Sequence, residues 1–215
     1  MLVKERMSTQ PILCAPDLPV SDALDQMKKQ RIRRMPVVDK NGKLIGIVSD
    51  KDLLRASPSP ATSLSVWEIT YLLSKLKVSD VMTKKVITVS EDTPIEDTAR
   101  IMVDNKIGGL PVVNGSGSVV GIITETDIFK TFLELLGARK SGVRVTMQVV
   151  DVRGQLAKIT SAVAAAGGNI VACVELPGTD SPDYEVLLKV TEVSKETLVA
   201  ALEPIVVRIT DVREG

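Results

Sequence analysis

The chain has 215 residues, 44% of them apolar, which allows one or two domains with substantial hydrophobic cores. Lysine plus arginine equals aspartate plus glutamate at 27 each, so no overall field draws the chain to nucleic acid or to an anionic membrane. There is no histidine, which removes the usual general base near neutral pH, the commonest metal ligand and every histidine-containing triad.

In chain order, Met1 to Gln10 carries charges and is followed by no apolar stretch of the kind a secretory leader has, and no apolar run approaches the roughly 18 residues of a membrane span. A cytoplasmic protein is expected. Ile12-Leu13-Cys14 reads as a short strand. From Pro19 to Gln30, Val20, Ala23, Leu24 and Met27 recur at helical spacing, which predicts an amphipathic helix with one buried face. Met35–Val38 and Leu44–Ser49 are β-branched runs joined across Asp39-Lys40-Asn41-Gly42, a hairpin signal, and Asp50–Arg55 starts a short helix. The unit is β-α-β-β-α. Ser57 to Lys77 opens with Ser57-Pro58-Ser59-Pro60 and continues through Val66, Trp67, Ile69, Tyr71, Leu72 and Leu73, a loop and then a helix.

The same unit then returns. Val3–Arg55 superimposes on Val78–Lys130 at an offset of 75 without a gap, matching Met7 with Met82, Asp17 with Asp92, Pro36-Val37-Val38 with Pro111-Val112-Val113, Gly46-Ile47 with Gly121-Ile122 and Asp52 with Asp127. A motif this small is expected to pair with its copy about a pseudo-twofold axis. Leu136 to Gly142 is small and basic, a boundary signal. Beyond it come a strand (Val143–Val149), a helix (Gly154–Ala166) closed by Gly167-Gly168, strands over Ile170–Leu176 and Tyr184–Val190, a helix (Lys195–Leu202) with Ser194 as N-cap, and a last strand over Ile205–Val212. This is the βαββαβ order of a ferredoxin-like domain. The expected class is mixed α/β (α+β), with boundaries at 1–56, 57–77, 78–136 and 142–215. Cys14 and Cys173 sit far apart in apolar runs and imply no disulfide.

Each repeat ends in glycine, two apolar residues, a hydroxyl residue, two variable residues and aspartate: Gly46 to Asp52 and Gly121 to Asp127. A hydroxyl followed three residues later by a carboxylate is close to a capping box, so Ser49 and Thr124 act as helix caps in one interpretation. In the other, the strand delivers a hydroxyl and free N–H groups suited to phosphate, while the carboxylate one turn on accepts both ribose hydroxyls. Both roles are compatible. Arg31, Arg33 and Arg34 precede Pro36 where the second copy has Lys106, Gly108 and Gly109, so the two sites are not equivalent. The arginines are either phosphate forks or a solvated helix end, and the spacing does not assign them to the Asp52 or the Asp127 site. Five aromatics are too few for base-stacking platforms, so a bound base must pack on aliphatic side chains.

The doubled pattern of helix, Pro-Val-Val, Gly and Gly-Ile-x-Ser/Thr-x-x-Asp over residues 1–136 resembles the CBS domain pair, or Bateman module. That resemblance implies an adenosine compound (AMP, ADP or ATP) as regulatory ligand, held at ribose and α-phosphate by Ser49, Asp52, Thr124 and Asp127. It implies an adenine wall drawn from Ile12, Cys14 and Ala15 in one copy and from Ile87 and Val89 in the other. Arg33 and Arg34, read from the basic run itself, are the candidate phosphate ligands. Residues 142–215, through Asp151-Val152-Arg153-Gly154-Gln155-Leu156 and Gly168-Asn169-Ile170, resemble the ACT domain. This implies side-by-side pairing and an amino acid or small acid held by Asp151, Gly154, Gln155, Leu156, Asn169 and Ile170. The order CBS, CBS, ACT is similar to the AcuB type, named for acetoin utilisation.

The function expected is a non-catalytic, allosteric ligand sensor, a homodimer acting on an unidentified regulated protein. No metal, obligatory cofactor, nucleic acid or membrane is implied. The competing possibility is a ligand-free oligomerisation scaffold for an enzyme or transporter. An enzyme is disfavoured because no nucleophile elbow, P-loop, glycine-rich dinucleotide turn or metal-ligand cluster occurs.

Overall fold

The structure, a computed structural model, describes residues 1–56, 65, 67, 68, 71, 75–177 and 183–215. Most of the loop and helix expected over 57–77 lies outside the described residues. The chain forms two compact units, residues 1–128 and 129–215. No helix among the described residues is long and apolar enough to cross a membrane.

The first unit carries the repeat. Its first half contains α1 (Val20–Gln30), β1 (Arg34–Val38), β2 (Leu44–Ser49) and α2 (Asp50–Arg55). Its second contains α3 (Val78–Val81), α4 (Ile95–Asn105), β3 (Gly109–Val113), β4 (Val119–Thr124) and α5 (Glu125–Leu135), whose later residues continue into the second unit. The helices bury the stripe their spacing predicts: Val20, Ala23 and Met27 on α1, and Ile95, Thr98 and Met102 on α4. The hairpins share one register, with Pro36 opposite Ile47 and Pro111 opposite Ile122. In the turns, the Asp39 carboxylate accepts the Asn41 and Lys43 N–H groups at 2.9 Å each, and Asn114 Oδ1 does the same for Ser116 and Ser118 at 3.1 and 3.0 Å.

The strand expected at Ile12–Cys14 is a single parallel bridge from Cys14 to Val37, mirrored by Val89 to Val112. Cys14 N–H donates to Pro36 O at 3.0 Å and Val38 N–H to Cys14 O at 3.1 Å. The next donor toward this side of β1 would be the amide of Pro36, and proline has none. Pro111 stops the second copy in the same way. Burial raises the Cys14 thiol to about 11, leaving it a small hydrophobe. Cys173, expected to be similar, is exposed.

What packs together is not what is contiguous in sequence. Val78, Val81 and Met82 belong to the core of the first motif, with Met35, Val37, Val48 and Leu53. Val3 and Met7 belong to that of the second, with Leu110, Val112 and Ile123. Backbone bridges follow the same exchange: Ser8 pairs with Ile122, and Thr83 with Ile47. Each leading segment therefore crosses to the opposite hairpin. Gly46 and Gly121 are the crossing points, since a Cβ there would collide with the sulfur of Met82 or Met7. Leu53, Met35, Leu110 and Ile123 are fully buried and contribute about 1.5–3 kcal/mol each.

The second unit contains β5 (Val143–Val149), α6 (Gln155–Ala165), β6 (Asn169–Pro177), β7 (Tyr184–Thr191), α7 (Lys195–Leu202) and β8 (Arg208–Glu214). The strand order is β6-β7-β5-β8, antiparallel throughout. Ile159 and Val163 of α6 and Leu198 and Leu202 of α7 close over Val145, Met147, Val186, Leu188 and Val190. The last strand starts later than the expected Ile205, because Pro204 continues α7 as a 3-10 turn over Glu203–Ile205. The Gln155 amide fixes that turn, donating to Ile205 O at 2.6 Å.

Candidate functional site

Both hydroxyl–carboxylate pairs form the capping arrangement their spacing predicts. Asp52 Oδ2 accepts the Ser49 N–H at 2.9 Å and the Ser49 hydroxyl at 2.6 Å, and Ser49 Oγ accepts the Asp52 N–H at 3.2 Å. Asp127 Oδ2 accepts the Thr124 N–H at 2.9 Å and the Thr124 hydroxyl at 2.7 Å. Capping does not exhaust the first pair: Asp52 Oδ1 has no partner among the described residues.

Ser49 and Asp52 line a cleft of about 310 Å³, at the lower end of the size range of small-molecule pockets. The exchanged segment brings Thr83, Lys85, Val86 and Ile87 into it, and the end of α4 brings Lys106 and Ile107. Ile47, Val86, Ile87 and Ile107 supply aliphatic surface, Ile87 being 40% exposed. Five cations converge there on the one carboxylate: Arg34, Lys51, Arg55, Lys85 and Lys106. None of the five has an ion-pair partner among the described residues. A chain of zero net charge thus concentrates positive potential in one concave, partly apolar site, an arrangement that attracts an anion.

Thr124 and Asp127 line the pseudo-symmetric cleft, about 230 Å³, with Ser8, Ile32, Ile122 and Thr126 and with Arg31, Arg33 and Arg34. The arginines that spacing left unassigned stand beside Asp127, and Arg34 lines both clefts. Arg31 and Lys106 occupy equivalent positions at the ends of α1 and α4, each in left-handed backbone at φ 54°. An L side chain costs about 1–2 kcal/mol there, where glycine would be nearly free. In both copies the chain places a cation at this disfavoured position on the rim of a cleft.

The other expected wall residues lie elsewhere. Cys14 and Val89 are turned into the two cores at 5% and 6% exposure, held there by the backbone bridges described above. Ile12 packs against the first core, and Ala15 lines, with Leu13 and Pro16, a separate depression. Lys85 and Lys106 were missed because nothing in the linear sequence ties their segments to the Asp52 helix; Lys51 and Arg55, on that helix beside Asp52, were within reach of the motif and were passed over. The 75-residue offset was the available signal only for Lys106, as the counterpart of Arg31.

In the second unit, Gly154 begins α6 in left-handed backbone at φ 83° with no side-chain cap. Asp151 and Leu156 are exposed beside it. Gln155 is buried with its amide committed to Ile205, Asn169 donates weakly to Glu192 at 3.4 Å, and Ile170 packs against the core. Of these residues, Asp151, Gly154, Leu156 and Asn169 are exposed to solvent.

The comparisons with known proteins fall on the repeat. The CBS domain model matches residues 3–59 and 78–134, more than half of the chain. The CBS domain pair of protein MJ0100, solved with 5'-methylthioadenosine and S-adenosyl-L-methionine, is 32% identical over 65% of this chain and 98% of its own, with a TM-score of 0.53. CBSX2 of Arabidopsis thaliana in complex with AMP is 31% identical over 62% of this chain and 97% of its own, with a TM-score of 0.54. The Vibrio cholerae protein AcuB is 32% identical over 65% of this chain and 95% of its own, with a TM-score of 0.53. With both halves of the repeat matched, and with the paired clefts built by exchange between them, the chain belongs to the CBS-domain family.

Proposed function

We propose that the protein is a non-catalytic, allosteric sensor of an adenine nucleotide, bound in the clefts of Asp52 and Asp127. The observation that carries this is the Asp52 cleft. There an aliphatic slot suited to a base, a carboxylate oxygen suited to ribose, and five cations suited to phosphate, these polar groups without ion-pair partners among the described residues, meet within about 310 Å³. Similar pairs bind AMP in CBSX2 and 5'-methylthioadenosine and S-adenosyl-L-methionine in MJ0100. The surplus of cations favours phosphorylated ligands, AMP, ADP or ATP, over S-adenosylmethionine, whose sulfonium is itself positive.

The second unit is assigned as an ACT-type domain on its βαββαβ order and the open turn before α6, with homodimerisation as its first role and an amino acid as its candidate ligand. The whole is an AcuB-type regulator, located in the cytoplasm and acting on a partner protein. The scaffold alternative is favoured by one observation, that the carboxylates of both Ser/Thr-x-x-Asp pairs already accept the N–H and the hydroxyl of the residue that starts the helix.

A thermal-unfolding screen tests the proposal. A ligand present at a hundred times its Kd stabilises the folded chain by about 2.7 kcal/mol, so a nucleotide that binds raises Tm by several degrees. AMP, ADP or ATP is expected to do so, and the shift is expected to shrink in Asp52→Ala. No shift with any nucleotide assigns the chain to the scaffold class.

A further inference from the structure

We infer that Arg34 is an anion ligand shared by the two clefts, so that a phosphate-bearing ligand in either one weakens the binding of a second in the other. This rests on the nucleotide assignment above and goes beyond it, since two independent sensor sites would need no shared residue.

Three observations meet at this side chain. Arg34 lines both clefts, and no other described residue does. It begins β1, in the first motif, yet its guanidinium lies over Gly108 of the second, where a Cβ would collide with Nη2 and would stand 2.5 Å from the Glu125 carboxylate. Among the described residues the guanidinium has no hydrogen-bond or ion-pair partner. The repeat explains why it is shared. The position equivalent to Arg34 is Gly109, whose added Cβ would stand 3.1 Å from Arg34 Cδ. Pseudo-symmetry would otherwise put one arginine on each side of the axis. The second copy gives up its arginine and makes room for the first, leaving one guanidinium between two clefts.

A guanidinium forks to one phosphate at a time. A ligand that draws it into the Asp52 cleft removes it from the Asp127 cleft, and by linkage the penalty is reciprocal. The cations that serve only one cleft, Lys85 and Lys106 for Asp52 and Arg31 and Arg33 for Asp127, let each bind alone. Adding a charge-assisted contact is worth about tenfold in affinity, so the expected coupling is of that order.

Calorimetric titration of AMP into the full chain tests this. Asp127→Ala reports the Asp52 cleft alone and Asp52→Ala the Asp127 cleft alone. The product of the two stepwise constants of the unsubstituted chain is expected to fall about tenfold below the product of the isolated constants, and Arg34→Ala is expected to abolish that deficit. If either aspartate variant fails to fold, Asp52→Asn or Asp127→Asn, which keeps a capping oxygen and removes the charge, takes its place. Products equal within threefold, or AMP binding at one cleft only, overturn the shared role and leave the sensor standing. No AMP binding at all in a folded chain overturns the nucleotide assignment on which the inference rests.

Discussion

The clefts of Asp52 and Asp127 are built by the same backbone and charged by different means. Where the Asp52 cleft has Lys51 and Lys85, the equivalent positions 75 residues away hold Thr126 and Gln10. Where the Asp127 cleft has Arg33 and Arg34, the Asp52 cleft has Gly108 and Gly109. The helix-end cation lines both clefts, as Lys106 and Arg31, whereas Arg55 lines its cleft and its counterpart Lys130 does not. Both copies keep the pieces that set geometry, namely the exchanged segments, the hairpin register and the caps, while the cations stand on α2 and the exchanged segment in one cleft and at the start of β1 in the other. The difference gives the Asp52 cleft five lining cations and the Asp127 cleft three, all three of them arginines.

The comparison breaks first at the carboxylates. Asp52→Ala is expected to lower nucleotide affinity in its own cleft about thirtyfold or more, by removing the ribose acceptor, and to leave the Asp127 cleft binding. Calorimetry on Asp52→Ala and Asp127→Ala separates the two, and equal effects of either substitution on both clefts would contradict independent ribose sites. Gly108→Val is next. A side chain there displaces the Arg34 guanidinium, and about a tenfold loss is expected in both clefts although the substitution belongs to one motif. Lys85→Ala is expected to cost about threefold, in the Asp52 cleft alone, and to reduce the salt dependence of binding there. The smallest effect has opposite signs in two measurements. Arg31→Gly relieves left-handed backbone and is expected to raise stability by up to about 1 kcal/mol in chemical denaturation, while weakening the Asp127 cleft about twofold.

Much of the fold was legible in the sequence because it is written locally and twice. Val20, Ala23 and Met27 announce α1, Asn41-Gly42 the first hairpin, and the 75-residue offset projects both onto the second copy. The short first strand misled, since its ladder ends on a donor that Pro36 lacks in a different segment. The late start of β8 escaped for a related reason: Pro204 continues a helix whose turn is held by Gln155, far away in the chain. In the clefts, the Ser49–Asp52 and Thr124–Asp127 pairs were legible as patterns of fixed spacing. Lys51 and Arg55 share α2 with Asp52 and were within reach of the pattern, whereas Lys85 and Lys106 were not, because one arrives on the exchanged leading segment that Met82 packs against Gly46 and the other at the end of α4. Whole-chain charge concealed it as well, since a net charge of zero says nothing about how 27 cations are distributed.

The most direct test of nucleotide sensing is calorimetric titration of ATP into the unsubstituted chain, into Asp52→Ala, and into the double variant Asp52→Ala/Asp127→Ala. Two binding events are expected in the first, one in the second and none in the third. Heats that persist unchanged in the folded double variant, or an unsubstituted chain silent toward ATP, would contradict nucleotide binding in these clefts and leave the Ser/Thr-x-x-Asp pairs as helix caps alone.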